Sequence, residues 1–238
     1  MQVSMTDSKP TLLWNATLCV QQGLREEGWV LVWDDVIAEV GRGEPPHVPG
    51  ARRIDVGGKI LAPGLIDLHV HGALGRDSMD ATPEALRQMA RFYARHGVTA
   101  FLATTTSSPP ESILAALENV AKVMQAGTGA ATLLGAHVEG PYLNAQRRGA
   151  QNPSHIRAVD PGEYRRIIGT GVVKLLTLAP ELPQSEDLIR FAVANRVAVS
   201  AGHTCASFEE MRLAVDMGVT QVTHLFNAME PMHHRRPG

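Results

Sequence analysis

Two histidines stand one residue apart in "DLHVHG", residues 67 to 72, where an apolar run ends. Side chains at i and i+2 of an extended chain share a face, so His69 and His71 aim at a common point. Three more residues of the same chemical kind close later apolar runs: Glu139 in "LLGAHVEG", His203 in "VAVSAGH" and His224 in "VTQVTHLF". Four imidazoles and one carboxylate suit zinc, iron or a similar divalent ion. Such an ion acidifies water and polarises a carbonyl under attack, which is the chemistry of hydrolysis, and a carboxylate can bridge to a second ion. A lone histidine at a strand end is usually an ordinary polar residue. Five such residues at the tips of four strands are hard to explain that way.

Other candidates read more plainly. His137 lies two residues before Glu139, on the same face, and reads as outer support for the ligands. His96 precedes Gly97 at a helix end, where an imidazole suits the helix dipole. His47 and His155 fall in loops, and Cys205 reads as a small buried thiol. Cys19 and Cys205 form no CxxC pair, which favours a reducing compartment.

These residues need a scaffold that brings strand tips together. Residues 1–60 read as a small β module of short strands ("TLLWNATLCV", "GWVLVWDDVIAEVG", "RRIDVGGKILAPG") separated by Gly, Pro and charged turns. Over residues 61–238 apolar runs alternate with helical patterns, six strands with five helices between them. The segment "TPEALRQMARFYARHG" shows the pattern, with Thr82 as N-cap and Gly97 as stop. Repeated βα units with apolar strands predict a parallel sheet covered by helices, in either a (β/α)8 barrel or an open sheet. A barrel gathers all strand C-termini into one mouth, whereas an open sheet spreads them along an edge. The strand-tip residues favour the barrel. Its usual size is about 250 residues, more than residues 61–238 supply, so an unpaired edge is expected at the sixth strand.

Composition excludes several classes. Over 238 residues, 44% are hydrophobic and 19% charged, which predicts a packed core. A net charge of −2 argues against a general binder of nucleic acid or anionic membranes. No basic segment followed by an apolar stretch opens the chain, and no run reaches the length of a membrane span. A cytoplasmic enzyme is expected.

The blocks "APGLIDLHVHG", "GAHVEGPYLNAQRRGAQNPSHIR", "LTLAPE", "SAGHTCASFEEM" and "VTHLFNAMEPMHHRRPG" resemble the N-acetylglucosamine-6-phosphate deacetylases of the amidohydrolase superfamily. The resemblance runs from about residue 55 to residue 238. It implies a TIM-like barrel beside a small β-sandwich module, and metal-dependent hydrolysis of the N-acetyl amide of N-acetylglucosamine 6-phosphate. In that pattern Glu139 takes the bridging place, His203 and His224 complete one metal position, and His69 and His71 support a second. Zinc or iron, as one or two ions, is implied. Substrate contacts carry over to Ala150, Gln151, Asn227, Ala228 and Arg235, the last as the phosphate partner, with Arg236 beside it. Gln151 departs from the histidine many members carry there; it can still donate a hydrogen bond but cannot change charge. The resemblance further implies a homodimer and a catalytic aspartate on a later strand, beyond Gly238, so a truncated chain is expected. Two other readings stay open: another amidohydrolase, such as a cyclic amidase or deaminase, and a catalytically incomplete fragment that binds metal or sugar phosphate.

Overall fold

A computed structural model describes residues 9–238, so the N-terminal residues read above as lacking a secretory signal lie almost wholly outside it. The chain divides into two compact units, one ending at Gly64 and the other spanning Leu65–Gly238.

In the first unit, β1 (Thr11–Val20), β2 (Gly23–Trp33), β3 (Val36–Arg42), β4 (Arg52–Asp55) and β5 (Ile60–Leu61) form one sheet. Its order is β3-β2-β1-β4, with β5 also on β1. The segment expected to be one strand over residues 28–41 breaks into β2 and β3 around Asp34, whose φ of 56° makes the hairpin turn. Alternation along β2 sends Trp29 and Leu31 to one face, with Leu12, and Val30 to the other, with Ala16 and Leu18, because β1 changes face at an irregularity around Asn15, whose φ is 55°. Both faces are therefore apolar. Among the described residues this unit forms a single sheet.

The second unit begins with β6 (Leu65–Val70), then the short hairpin β7 (Gly72–Ala73) and β8 (Arg76–Asp77), which the sequence reading missed. It continues with α1 (Pro83–Arg95), β9 (Val98–Thr104), α2 (Pro110–Ala126), β10 (Thr132–Glu139), α3 (Pro161–Gly169), β11 (Val173–Leu178), α4 (Ser185–Ala194), β12 (Ala198–Ala201), α5 (Phe208–Met217) and β13 (Val219–Val222). Helix α1 starts where the Thr82 hydroxyl accepts the Ala85 N–H at 3.3 Å, with proline in the first turn. Replacing such a cap by alanine costs about 1 kcal/mol. The helix buries Ala85, Leu86, Met89, Ala90 and Tyr93, one stripe at helical spacing. At its end His96 closes the last turn, its Nδ1 2.8 Å from the Phe92 carbonyl.

The main sheet has the order β13-β12-β11-β10-β9-β6, every pair parallel. Each strand pairs with the next in sequence and the order never reverses. Right-handed crossovers then place successive helices on one side, and the sheet curls instead of spreading around a switch point. This is a curled parallel sheet of six strands, and all its strand C-termini point the same way. Between helices and sheet lies one core, including Phe101, Leu117, Val138, Leu176 and Ile189. Each such side chain contributes about 1.5–3 kcal/mol on burial. Among the described residues two edges of this sheet are unpaired: β13, as expected, and also β6, whose Leu65, Ile66 and Leu68 are exposed.

Candidate metal centre

The inward positions of the curled sheet carry polar side chains in register. Thr104 pairs with His137, and Glu139, Thr177 and Ser200 follow one another across β10, β11 and β12. Above them the strand tips converge. The Nε2 of His203 and that of His224 lie 3.1 and 3.3 Å from Glu139 Oε1, and that of His69 lies 3.7 Å from it. His71 Nε2 lies 3.2 Å from Oε2. The carboxylate is buried at the centre of four imidazoles. Two groups could hold an ion: His69, His71 and Glu139, and Glu139, His203 and His224.

Local backbone aims these side chains. His203 and His224 both have left-handed φ, at 49° and 36°, a conformation that L residues adopt only when the surroundings impose it. Each turns sharply off its strand tip. His71 is steadied through its carbonyl, which accepts the Ser78 N–H at 2.8 Å and the Ser78 hydroxyl at 3.0 Å across the β7–β8 hairpin.

The outer contacts of the two histidine pairs differ. His203 Nδ1 donates to the Arg147 carbonyl at 2.8 Å, and His224 Nδ1 to the Asn227 carbonyl at 3.1 Å. Such bonds fix the tautomer that leaves Nε2 free for a metal. Among the described residues, Nδ1 of His69 and of His71 has no partner. The Nε2 atoms of His203 and His224 sit 3.1 Å apart. With both Nδ1 protons spent on carbonyls, at least one Nε2 lone pair faces its neighbour and the carboxylate with no hydrogen between them. A divalent cation satisfies all three atoms at once, so the donor set fits a metal ion.

Charge follows from this crowding. Burial raises the Glu139 carboxyl, but hydrogen bonds from His203 and His71 and the charge of His69 outweigh it and hold the group well below the usual carboxylate range. The hydrogen bond to Glu139 raises His71; burial lowers His203, but its bonds to Glu139 and to the Arg147 carbonyl, with the charge of Glu139, together outweigh that and raise it. His69 is lowered, chiefly by burial. His137 is pushed down to about 3 by burial and stays neutral. Its ring nitrogens are engaged away from Glu139: Nδ1 lies 3.0 Å from the Leu68 carbonyl and Nε2 2.7 Å from Thr177 Oγ1. Thr177 continues to Thr223 at 2.7 Å and Thr223 to Ser200 at 2.6 Å. The ring also packs against His69, centroids 4.9 Å apart.

The five strand-tip residues line one cavity of about 380 Å³ together with Thr106, Gly149, Ala150, Gln151, Asn227 and Ala228. Arg235 lines a different cavity, with Cys205, Glu230, His233 and Arg236. The sequence reading gave no role to Glu181, although it follows a strand as Glu139 closes one. Its carboxylate accepts Asn144 Nδ2 at 2.9 Å, the Cys205 N–H at 2.7 Å and the Thr204 hydroxyl, tying together the loops on either side of His203. The strand-tip criterion that singled out Glu139 also finds Glu181.

The amidohydrolase family profile matches residues 60–237. This chain belongs to the amidohydrolase family. Amidohydrolases generally depend on divalent metal, and the His/Glu cluster could hold it. The chain is 38% identical over 222 residues to human N-acetylglucosamine-6-phosphate deacetylase, covering 90% of itself and 54% of that protein. It is 36% identical over 222 residues to an N-acetylgalactosamine-6-phosphate deacetylase of Escherichia coli O157:H7, covering 90% of itself and 57% of that protein. A solved structure of a mutant N-acetyl-D-glucosamine-6-phosphate deacetylase from Mycobacterium smegmatis, in complex with N-acetyl-D-glucosamine-6-phosphate, matches with a TM-score of 0.90 and 34% identity. That match covers 97% of this amidohydrolase chain and 59% of the other. The chain thus spans about half the length of the curated relatives it matches. No helix among the described residues is long and apolar enough to cross a membrane.

Proposed function

We propose that this amidohydrolase acts in hydrolysis of the N-acetyl amide of N-acetylglucosamine 6-phosphate, giving glucosamine 6-phosphate and acetate. The observation that carries the reading is the buried Glu139 carboxylate ringed by four Nε2 atoms, in one cavity with Ala150, Gln151, Asn227 and Ala228. The similarity to amino-sugar phosphate deacetylases supports the substrate class.

Glu139, His203 and His224 would hold one divalent ion, and His69 and His71, with Glu139, a second. Zinc or iron suits the mixed nitrogen and oxygen donors. When bound, such an ion supplies Lewis-acid polarisation of the amide carbonyl and acidifies the attacking water. The chain's own residues do the rest. Arg147 and Asn227 hold His203 and His224 through their carbonyls. Ala150, Asn227 and Ala228 form the wall against which the sugar would lie; Arg235, which lines a separate cavity, is proposed as the phosphate partner on the family resemblance alone. The proposed setting is a cytoplasmic homodimer; the assembly rests on family resemblance alone.

The test is acetate release by the purified protein with added Zn²⁺ or Fe²⁺, from N-acetylglucosamine 6-phosphate, its galacto epimer and unphosphorylated N-acetylglucosamine. Preference for the phosphorylated gluco sugar supports the reading. Indifference to phosphate favours another amidohydrolase activity, and tight metal and sugar-phosphate binding without turnover favours a binding role.

A further inference from the structure

Gln151 was expected to contact substrate, but its amide is engaged elsewhere. Its Oε1 accepts the Ser107 backbone N–H at 2.7 Å, and its Nε2 donates to Glu139 Oε2 at 2.6 Å. Gln151 and Ser107 are both buried, at 5% and 2% exposure, so water does not compete for either bond. The Ser107 N–H can only donate. It therefore fixes which end of the amide is oxygen, and the NH₂ end must face the carboxylate.

From this geometry we infer that Gln151 is a positioning residue, which acts through Glu139 by pinning one carboxylate oxygen so that the other stays aimed at His203 and His224. The side chain of Glu139 has three rotatable bonds and meets four histidines. His71 also meets Oε2, at 3.2 Å, but an imidazole that takes up a metal ion no longer donates there, so without Gln151 the carboxylate can then rotate towards either histidine pair. With it, Oε1 is held 3.1 and 3.3 Å from the Nε2 atoms of His203 and His224 before any ion arrives. A hydrogen bond to a ligating carboxylate preorganises the site in this way, and losing such a partner typically costs about 10–100-fold in metal affinity. Glutamine does not titrate, so the donor is present at every working pH. The inference rests on Glu139 as a metal-binding carboxylate and is independent of the substrate.

The test is Zn²⁺ titration of the metal-stripped protein against a competing chelator, for the parent, Gln151→Met and Gln151→His. Methionine keeps the length but has no donor; histidine restores an N–H. The expected result is a loss of about 10–100-fold in Zn²⁺ affinity for Gln151→Met and partial recovery in Gln151→His. Equal affinity in parent and Gln151→Met overturns the inference, as does a rise in KM at unchanged affinity, which marks a substrate contact. A parent that binds no Zn²⁺ overturns the metal reading itself, a separate outcome. Should Gln151→Met not fold, Gln151→Asn keeps the amide but is too short to span Ser107 and Glu139. Its Co²⁺-loaded visible spectrum should then differ from the parent's, and an identical spectrum overturns the inference.

Discussion

His203 and His224 stand on different strands 21 residues apart, yet their Nε2 atoms lie 3.1 Å from each other, each above the same oxygen of Glu139. Neither is positioned by regular strand geometry, since both turn off their strands in left-handed backbone. Carbonyls of Arg147 and Asn227 complete the arrangement from behind.

Removing the central carboxylate should therefore cost more than removing any outer partner. Glu139→Gln keeps the shape and deletes the charge. Zn²⁺ affinity is expected to fall by more than the roughly 100-fold upper range for an outer contact, measured by competition titration. Retention of parent affinity would remove Glu139 from the centre.

Metal removal should reverse the pH dependence of stability. His203 and His71 have raised folded pKa values through Glu139, so in metal-free protein their contribution is fully present below pH about 6.5 and lost as pH rises through the raised values. Buried Glu139 is then left without cations. Metal needs the imidazoles deprotonated, so its binding strengthens over the same range. Thermal melts from pH 6 to 9 should show Tm falling with chelator and holding with Zn²⁺. Parallel curves would contradict the site.

Histidine 137 gives the opposite sign. Its folded pKa of about 3 lies below the unfolded value near 6.5, so the folded state binds fewer protons between them. Stability should fall as pH drops through that window, by about 1.4 kcal/mol per unit from this group. In His137→Gln, urea melts with chelator should show that slope reduced by one proton relative to the parent. An unchanged slope would mean that His137 protonates freely.

Close packing below His203 predicts an intolerant glycine. A Cβ at Gly202 would lie 2.8 Å from Thr177 Cγ2 and 2.9 Å from Thr223 Cβ, both on stiff β-branched side chains. Gly202→Ala should cost about 1–3 kcal/mol in urea unfolding and weaken Zn²⁺ binding, because His203 is the next residue. A silent substitution would show that the strand tip yields.

Much of this was legible before any coordinates. Local rules placed α1, because a threonine cap, an N-terminal proline and a helical apolar stripe act within a few residues. The alternation of apolar runs and helices fixed a parallel sheet, and the strand-tip positions of His69, His71, Glu139, His203 and His224 marked the metal-capable set. The β7–β8 hairpin escaped notice, since its two-residue strands are too short to carry a period. So did the partition of substrate-contact candidates, with Arg235 in a cavity apart from the histidines.

The sequence by itself determined which residue types stand at the strand tips, because periodicity and chain punctuation are local. Only the tertiary structure decided what those residues touch. That Gln151 faces Glu139 across 12 residues, that Glu181 gathers the loops around His203, and that His137 joins a hydroxyl chain instead of the metal-capable groups all depend on contacts between separate elements and loops. Hydrogen-bond partners are chosen by distance in space, and a linear pattern carries no measure of that distance until the sheet has curled.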